Sequence, residues 1–506
     1  MDHALTETDY TDRQKRLRRR LEFVPAAFVW LTLLGAVALS LLNPIWAVYF
    51  IIAFDLYWFF RVLYFVIFLS ISWGRHRGAL QVDWEAELKR TPGWERLRHL
   101  VFLPTYKEDV EIIRATCRSL LDAKVDPKTM LVVLAGEERA GRDEFLARAE
   151  AIRQEFGSRF LKFVVTVHPS DTVGEIAGKG SNLHYAGPFA RQAIDDLGAA
   201  YEDVIVSTFD VDTIAHPQYF AHLAKTYLDA PDRTRASYQP VVLYSNNIWD
   251  APAIIRIAAF GTTFWLLSEL VRPDRLFTFS SHSMPFKALV DVGYWQRDVV
   301  SEDSRIFLQC LLRYDGAYRV IPLYVPVSMD AVMAPSWTGS LVNLYKQQRR
   351  WAWGVEHFPY LVLNFLANKE IPLRKRLTTL WVLFEGMYTW ATAPVLIFIL
   401  GWLPLNVARL TGRPEAVFQN APHTLQWIMS FAMLGVLVSA VLSLPLLPSR
   451  PAHKNPYMFV VMLLQWMLLP VTFILFGATP AIEAQTRLMI GKRLGFWVTP
   501  KELKKT

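Results

Sequence analysis

Asp210 and Asp212, in Phe209-Asp-Val-Asp212, follow an apolar run of buried-strand type, Val204 to Phe209. Ligands of open α/β sheets bind beyond the carboxyl ends of the strands. Carboxylates at such an end can hold a divalent cation that clamps a diphosphate and neutralises a departing group. In isolation, an Asp-x-Asp reads as readily as a solvated turn. A second acidic pair, Glu302 and Asp303, follows Ser301 and precedes the apolar helical stretch Ile306 to Leu312. Its plain reading is a capped helix start with acids in the first turn. Its chemical reading is a general base, because an attacking sugar hydroxyl must lose its proton to a positioned carboxylate. The third constellation is Gln347-Gln-Arg-Arg-Trp351. Arginines beside an indole suit an interfacial belt. They suit a sugar platform equally well, with the indole on the apolar face of a pyranose and Gln and Arg on hydroxyls or phosphate. Two smaller signals accompany these. In Pro104-Thr-Tyr-Lys-Glu108 a nucleotide base could stack on Tyr106. Gly178-Lys-Gly-Ser-Asn182 offers backbone amides, an ammonium and a carboxamide to a diphosphate or base, at a spacing that is not a Walker loop.

These residues lie in a charge-rich middle between long apolar runs. Of 506 residues, 53% are hydrophobic and 20% charged. A bilayer span needs roughly 20 apolar residues. Val24 to Leu42 and Trp46 to Trp73 meet that requirement, joined by a tight turn at Asn43-Pro44. Six basic residues from Arg13 to Arg20 precede the first run. They hold the amino terminus in the cytoplasm and mark residues 1–75 as an anchor rather than a cleavable signal. Asp55 and Arg61, inside the second run, read as a structural pair between packed helices or as the polar lining of a sugar-conducting path. The net charge of +8 gathers beside the apolar runs, where positive-inside topology accounts for it. Contact with membrane lipids is therefore expected and nucleic-acid binding is not. The two cysteines, Cys117 and Cys310, imply no disulfide framework.

Residues 76–335 read as an α/β domain. Strands are expected at Leu100–Leu103, Met130–Leu134, Phe160–Val167 and Val204–Phe209, with helices at Glu108–Leu121 and Glu144–Phe156. Such alternation argues for parallel strands with helical crossovers. Residues 336–375 suit interfacial helices carrying the Gln-x-x-Arg-Trp segment. Apolar runs return within 376–480 at Leu377–Leu403, Leu425–Leu447 and Tyr457–Phe476, and a basic tail occupies 481–506.

In this order, with these flanking runs, the motifs resemble those of membrane-bound family 2 glycosyltransferases of GT-A fold. The likeness is to the polysaccharide synthases, such as cellulose, hyaluronan and chitin synthases. It covers about residues 100–360 well and the flanking runs in outline. The resemblance implies a Rossmann-like α/β GT-A domain, cytoplasmic, inserted between transmembrane helices at a bacterial inner membrane. By the same likeness, Asp210 and Asp212 would hold Mg2+ or Mn2+ and the donor diphosphate. Asp303 would be the base, with Glu302 beside it. Gln347, Arg350 and Trp351 would hold the acceptor end and the pyrophosphate. Tyr106 and Glu108 would meet uracil and ribose, and Lys179 and Asn182 would be donor contacts. Glu137, after the second strand, stands where that family usually has Asp. Phe496-Trp-Val-Thr-Pro-Lys501 resembles the gating loop of cellulose synthases, so Phe496, Val498, Thr499 and Lys501 would close over the diphosphate.

The implied reaction is a single in-line, inverting displacement on a UDP-sugar that builds a β-linked glycan and passes it through the membrane. Single transfer to a lipid-linked acceptor is the alternative, and a non-enzymatic transport or scaffold subunit is the third reading. A gating tail must lie on the side of the catalytic domain, so one of the three later apolar runs should not cross. Tyr457–Phe476, interrupted by Pro470 and leading to Glu483, Arg487 and Lys492, is the expected shallow helix. The spans that follow this loop in cellulose synthases have no counterpart after it here.

Overall fold

The computed structural model describes residues 5–6, 9–412 and 416–495. Among them, eight strands make one mixed sheet. They are β1 (Arg98–Pro104), β2 (Met130–Glu137), β3 (Lys162–His168), β4 (Val204–Thr208), β5 (Ile214–Ala215), β6 (Ala236–Leu243), β7 (Ser283–Pro285) and β8 (Arg319–Ser328). Their order is β3-β2-β1-β4-β7-β6-β8-β5. The four expected strands are β1 to β4, and all of these run parallel. β1, β2 and β4 are apolar in continuous runs because helices cover both faces, so their central side chains are buried whichever way they point, while the edge strand β3 is mostly half-buried. β2 is buried along its whole length. The helix Val110–Leu121 returns the chain from β1 to β2. It starts where Asp109 accepts from the Glu111 amide at 2.9 Å, an N-cap that satisfies an otherwise orphaned donor. The helix Arg142–Phe156 connects β2 to β3, and Lys179–Asp196 carries the chain back across to β4 on the far side of β1.

Strand order therefore reverses between β1 and β4, the switch point at which a crevice opens beyond the carboxyl ends. The register keeps those ends level. Pro104 lies opposite Ala135, and Phe102 opposite Thr208. The rest of the sheet departs from the parallel scheme. β7 is antiparallel to both β4 and β6, while β6 and β8 pair in parallel with a bulge between Pro240 and Val241. This is the expected fold class in outline, a Rossmann-like α/β domain between long apolar helices.

Five of the described helices are long and apolar enough to cross a membrane by length and composition: Asp12–Leu42, Pro44–Ala79, Ala253–Leu270, Leu373–Phe398 and Met458–Met489. A further apolar helix, Ala416–Ser443, runs on into a 3-10 turn at Leu444–Leu446. Large apolar side chains on their outer faces, among them Leu31, Leu42, Trp46 and Met467, are exposed, as lipid-facing positions would be. Ala253–Leu270 had no counterpart among the apolar runs read from the sequence. It is 61% buried, fastened to β6 by Thr263 Oγ1 donating to the Val242 carbonyl at 2.9 Å and to Met458–Met489 by a Phe264–Trp466 stack.

The apolar run Tyr457–Phe476 continues as helix to Met489, with a 3-10 turn at Gln465–Leu468 and a π turn at Ile474–Ala478. Its last turns lie on the helix Trp337–Ala352, where Glu483 accepts from Tyr345 at 2.7 Å and Arg349 at 2.6 Å. Inside the apolar bundle, Asp55 and Arg61 are not each other's partners. Arg61 pairs with Glu385 at 3.1 Å, and Asp55 is buried.

Candidate active site

The crevice beyond β1, β2 and β4 is a cavity of about 190 Å³. It is lined by Tyr106, Glu108, Glu137, Lys179, Asn182, Asp210, Glu302, Asp303, Gln347, Arg350 and Trp351 together, with Tyr244, Thr278, Phe279, Ser280, Ser301, Ser304 and Asp330. Motifs spread over some 250 residues thus converge because parallel strands end side by side. Tyr106 and Glu108 follow β1, Glu137 ends β2, and Asp210 follows β4.

Lys179 is the hub. It is the first residue of its helix and nearly buried. Its ammonium lies 2.8 Å from Asp210 Oδ1, 2.9 Å from Asp303 Oδ1 and 3.6 Å from Glu302 Oε1. Burial disfavours its charge, but the three surrounding carboxylates outweigh this and push its pKa up. Lys179 is therefore a permanent cation. It can approach so closely because its neighbour is Gly180. A Cβ there would sit 3.1 Å from both the Gln296 carbonyl and Glu302 Cβ.

Glu302 and Asp303 open the helix Glu302–Arg313. Ser301 occupies the N-cap position, but its side chain makes no capping bond. Burial pushes the Glu302 carboxyl up to about 7, and Asp303 adds to the effect while Lys179 and Arg350 oppose it. Thr278 donates its hydroxyl to the Asp303 carbonyl. His282 is fully buried 4.0 Å behind the Asp303 carboxylate, and burial pushes its pKa down, so it stands there neutral. Gln347, Arg350 and Trp351 share one face of the helix Trp337–Ala352 because they are three or four residues apart. Arg349 points away to Glu483. Trp351 packs against Tyr244 and Phe279, at 6.1 and 5.7 Å between ring centres. Phe279 in turn meets Trp265 on the apolar helix Ala253–Leu270 at 5.9 Å.

The strand-end residues divide into those facing the cavity and those supporting it. Asp210 receives the Ser280 hydroxyl at 2.7 Å. Asp212 is buried behind it, with Oδ2 on the Asp330 amide at 2.9 Å, and does not line the cavity itself. Glu108 accepts from the Thr105 hydroxyl at 2.9 Å and the Tyr106 amide at 2.6 Å, so one of its oxygens is committed to shaping the loop. Glu137 pairs with Arg139, whose guanidinium lies 4.8 Å over the Tyr106 ring. Asn182 ties its helix to β2 by donating to the Ala135 carbonyl at 2.8 Å.

Asp210 presents hard oxygen donors to the cavity, the kind that fit Mg2+ or Mn2+, while Asp212, the second expected ligand, stands buried behind it with one oxygen on the Asp330 amide. Among the described residues, no group of three His, Cys, Asp or Glu side chains is arranged to hold a metal by itself. A cation here would complete its shell with donor phosphate oxygens and water, as Mg2+ commonly does. Phe496, Val498, Thr499 and Lys501 lie outside the described residues.

Tyr244, Ser280, His282 and Asp330 were absent from the sequence reading. Ser280 and His282 lie on a polar segment with no helical or strand periodicity, and Asp330 follows a strand interrupted by Pro322 and Pro326.

No family model matches the chain. It is similar to poly-beta-1,6-N-acetyl-D-glucosamine synthase of Staphylococcus aureus, being 24% identical over 345 residues, which cover 65% of this chain and 74% of that protein. In another strain the match is 32% over 109 residues, covering 20% of this chain and 24% of the relative. Among solved structures, the chain is similar to the mannosyltransferase PcManGT from Pyrobaculum calidifontis in complex with GDP-Man and Mn2+, at a TM-score of 0.44 and 14% identity over 85% of this chain and 100% of that one. Staphylococcus aureus TarS in complex with UDP-GlcNAc is matched at a TM-score of 0.31 and 13% identity over 67% of this chain and 90% of that one. The sequence similarity supports a glycosyltransferase.

Proposed function

We propose that this protein is a metal-dependent, inverting hexosyltransferase that takes a sugar from a UDP-sugar at the cytoplasmic face of the inner membrane and builds a β-linked polysaccharide. The observation that carries this reading is the bridging of Asp210 and Asp303 by Lys179 in one cavity that also holds Gln347, Arg350 and Trp351. Asp210 and Asp212 would hold Mg2+ or Mn2+, which when bound neutralises charge on the diphosphate. Tyr106 offers its ring to the base and Glu108 its remaining oxygen to the ribose. Asp303 accepts the proton of the acceptor hydroxyl as that oxygen bonds to the anomeric carbon. The anomeric C–O bond to phosphate breaks in the same step, and Lys179 and Arg350 meet the charge that leaves. A single displacement inverts the anomeric centre.

The similarity to a poly-N-acetylglucosamine synthase makes UDP-N-acetylglucosamine the first donor to test. The ring series Trp351, Phe279 and Trp265 leads from the cavity to an apolar helix, which favours a growing glycan or a lipid-linked acceptor approaching from the membrane side. Product length separates these two. We expect purified protein to release free nucleotide from one member of a nucleotide-sugar panel, and EDTA to stop the release. Release from none of the panel in the presence of Mg2+ and Mn2+ contradicts the proposal.

A further inference from the structure

The turn carrying Glu302 and Asp303 has no side-chain cap of its own. It is held instead from outside, at both ends, by one short stretch of chain. Before the acids, the Val300 amide donates to Glu356 Oε1 at 3.3 Å, and the other oxygen of Glu356 accepts from Trp353 Nε1 at 2.9 Å. After them, Ser304 Oγ lies 2.8 Å from Nε2 of His357, which is buried. Arg305 Nε lies 3.1 Å from His357 Nδ1. A guanidinium can only donate, so Nδ1 must accept and the ring proton sits on Nε2. His357 therefore donates to Ser304, whose own hydrogen is directed at the Ser301 carbonyl at 3.3 Å. Arg305 is itself fixed, with Nη1 on Gln296 Oε1 at 3.1 Å and its guanidinium 3.7 Å over the Tyr360 ring. Burial and the Arg305 charge hold the imidazole neutral, which the Nδ1 acceptor role requires.

We propose that His357 is a positioning residue for sugar transfer: through Ser304 it sets the orientation of the helix turn that aims Asp303 at the acceptor. The inference rests on the reading of Asp303 as the base. His357 itself does not line the cavity, whereas Ser304 does. Its location four residues past Trp353, one 3-10 turn after the helix that carries Gln347, Arg350 and Trp351, ties the acceptor side of the cavity to the base. The geometry of a proton-transfer step is sensitive to displacements of the order of 1 Å.

The test is steady-state transfer by full-length protein in detergent or nanodiscs, with labelled UDP-N-acetylglucosamine or the best donor of the panel. Asp303→Asn serves as the reference. His357→Phe should lower kcat by roughly tenfold or more and leave the donor KM unchanged. His357→Gln should recover most of the loss, since its amide nitrogen can donate to Ser304, and His357→Asn, which restores only an acceptor toward Arg305, should recover less. Ser304→Ala should reproduce the kcat loss and add nothing to His357→Phe in the double variant. It keeps the inference testable if the Phe variant does not fold. Unchanged kcat in folded His357→Phe or in Ser304→Ala, with Asp303→Asn inactive, overturns the positioning role alone. Near wild-type transfer by Asp303→Asn overturns the base assignment instead.

Discussion

Two clusters of buried charge in this molecule are built to opposite rules. In the candidate active-site cavity a single ammonium, Lys179, touches three carboxylates, Asp210, Glu302 and Asp303. Where the sheet domain meets the apolar helices, Glu385 binds Arg61 and Arg275, at 3.1 and 3.0 Å, and takes a hydrogen bond from Tyr57. Glu269 lies in the field of the same arginines, and Arg272 closes on Asp274. Counting the solvent-exposed Asp274 at its edge, that second cluster balances three guanidiniums with three carboxylates. Buried charge is costly unless paired, so a balanced cluster can serve as a fixed joint. The unbalanced cluster carries surplus acid, which suits a site whose remaining cation and protons arrive with substrate. One cluster thus suits a joint that holds helices and the other the proposed chemistry, although both look like salt-bridge networks.

The difference can be broken most severely at Lys179. Lys179→Met removes the cation proposed to meet the diphosphate and should lower transfer by about 10²-fold or more, with a weakened donor affinity, read by kinetics and donor titration. Glu385→Gln should act on the other property. It leaves two guanidiniums facing a neutral amide and should cost about 3 kcal/mol of stability, read as a fall in Tm, while transfer per folded molecule persists. Lost transfer in a folded Glu385→Gln protein would join the two clusters into one functional unit.

A finer test uses pH. Glu302 is raised from 4.5 to about 7, so folding binds a proton there. Its contribution is full below pH 4.5 and disappears as pH rises through about 7. Glu302→Gln, always neutral, should therefore raise Tm relative to wild type at pH 8 and not at pH 4.5, by up to about 3 kcal/mol in stability. An equal shift at both pH values would place Glu302 in a less buried environment. The smallest effect is expected at Trp351→Phe. It keeps a ring between Tyr244 and Phe279 and should raise the acceptor KM severalfold, as measured with an oligosaccharide primer, with kcat nearly unchanged.

What the sequence disclosed follows from the physics of each element. β1, β2 and β4 were legible because strands buried on both faces are continuously apolar, β3 because its half-buried edge run Phe163–Val165 is still apolar, and Asp210 because it follows such a run. β5 has two residues and β7 has three, too few to carry a period, and β8 is interrupted by Pro322 and Pro326. The helix Ala253–Leu270 is long and apolar enough to span, but it lies within the charge-rich middle, carries Arg256 and Glu269, and at a lower mean hydropathy stands out less than the first two apolar helices and the last. In the cavity, residues brought by a recognisable spacing were found: Asp210 with Asp212, Glu302 with Asp303, and Gln347 with Arg350 and Trp351. Ser280, His282, Tyr244 and Asp330 reach it only through the antiparallel half of the sheet, and their spacing in the chain holds no trace of that. The supporting bonds of Glu356 and His357 are likewise invisible without coordinates.

Asp303 is proposed to take the acceptor proton in a cavity whose donor contacts are made by other residues. The most direct measurement compares wild type and Asp303→Asn in the same preparation for the rate of sugar transfer and for donor affinity. Transfer falling by about 10²- to 10⁴-fold with donor affinity preserved is the predicted result. Near wild-type transfer by the folded Asn variant would contradict it.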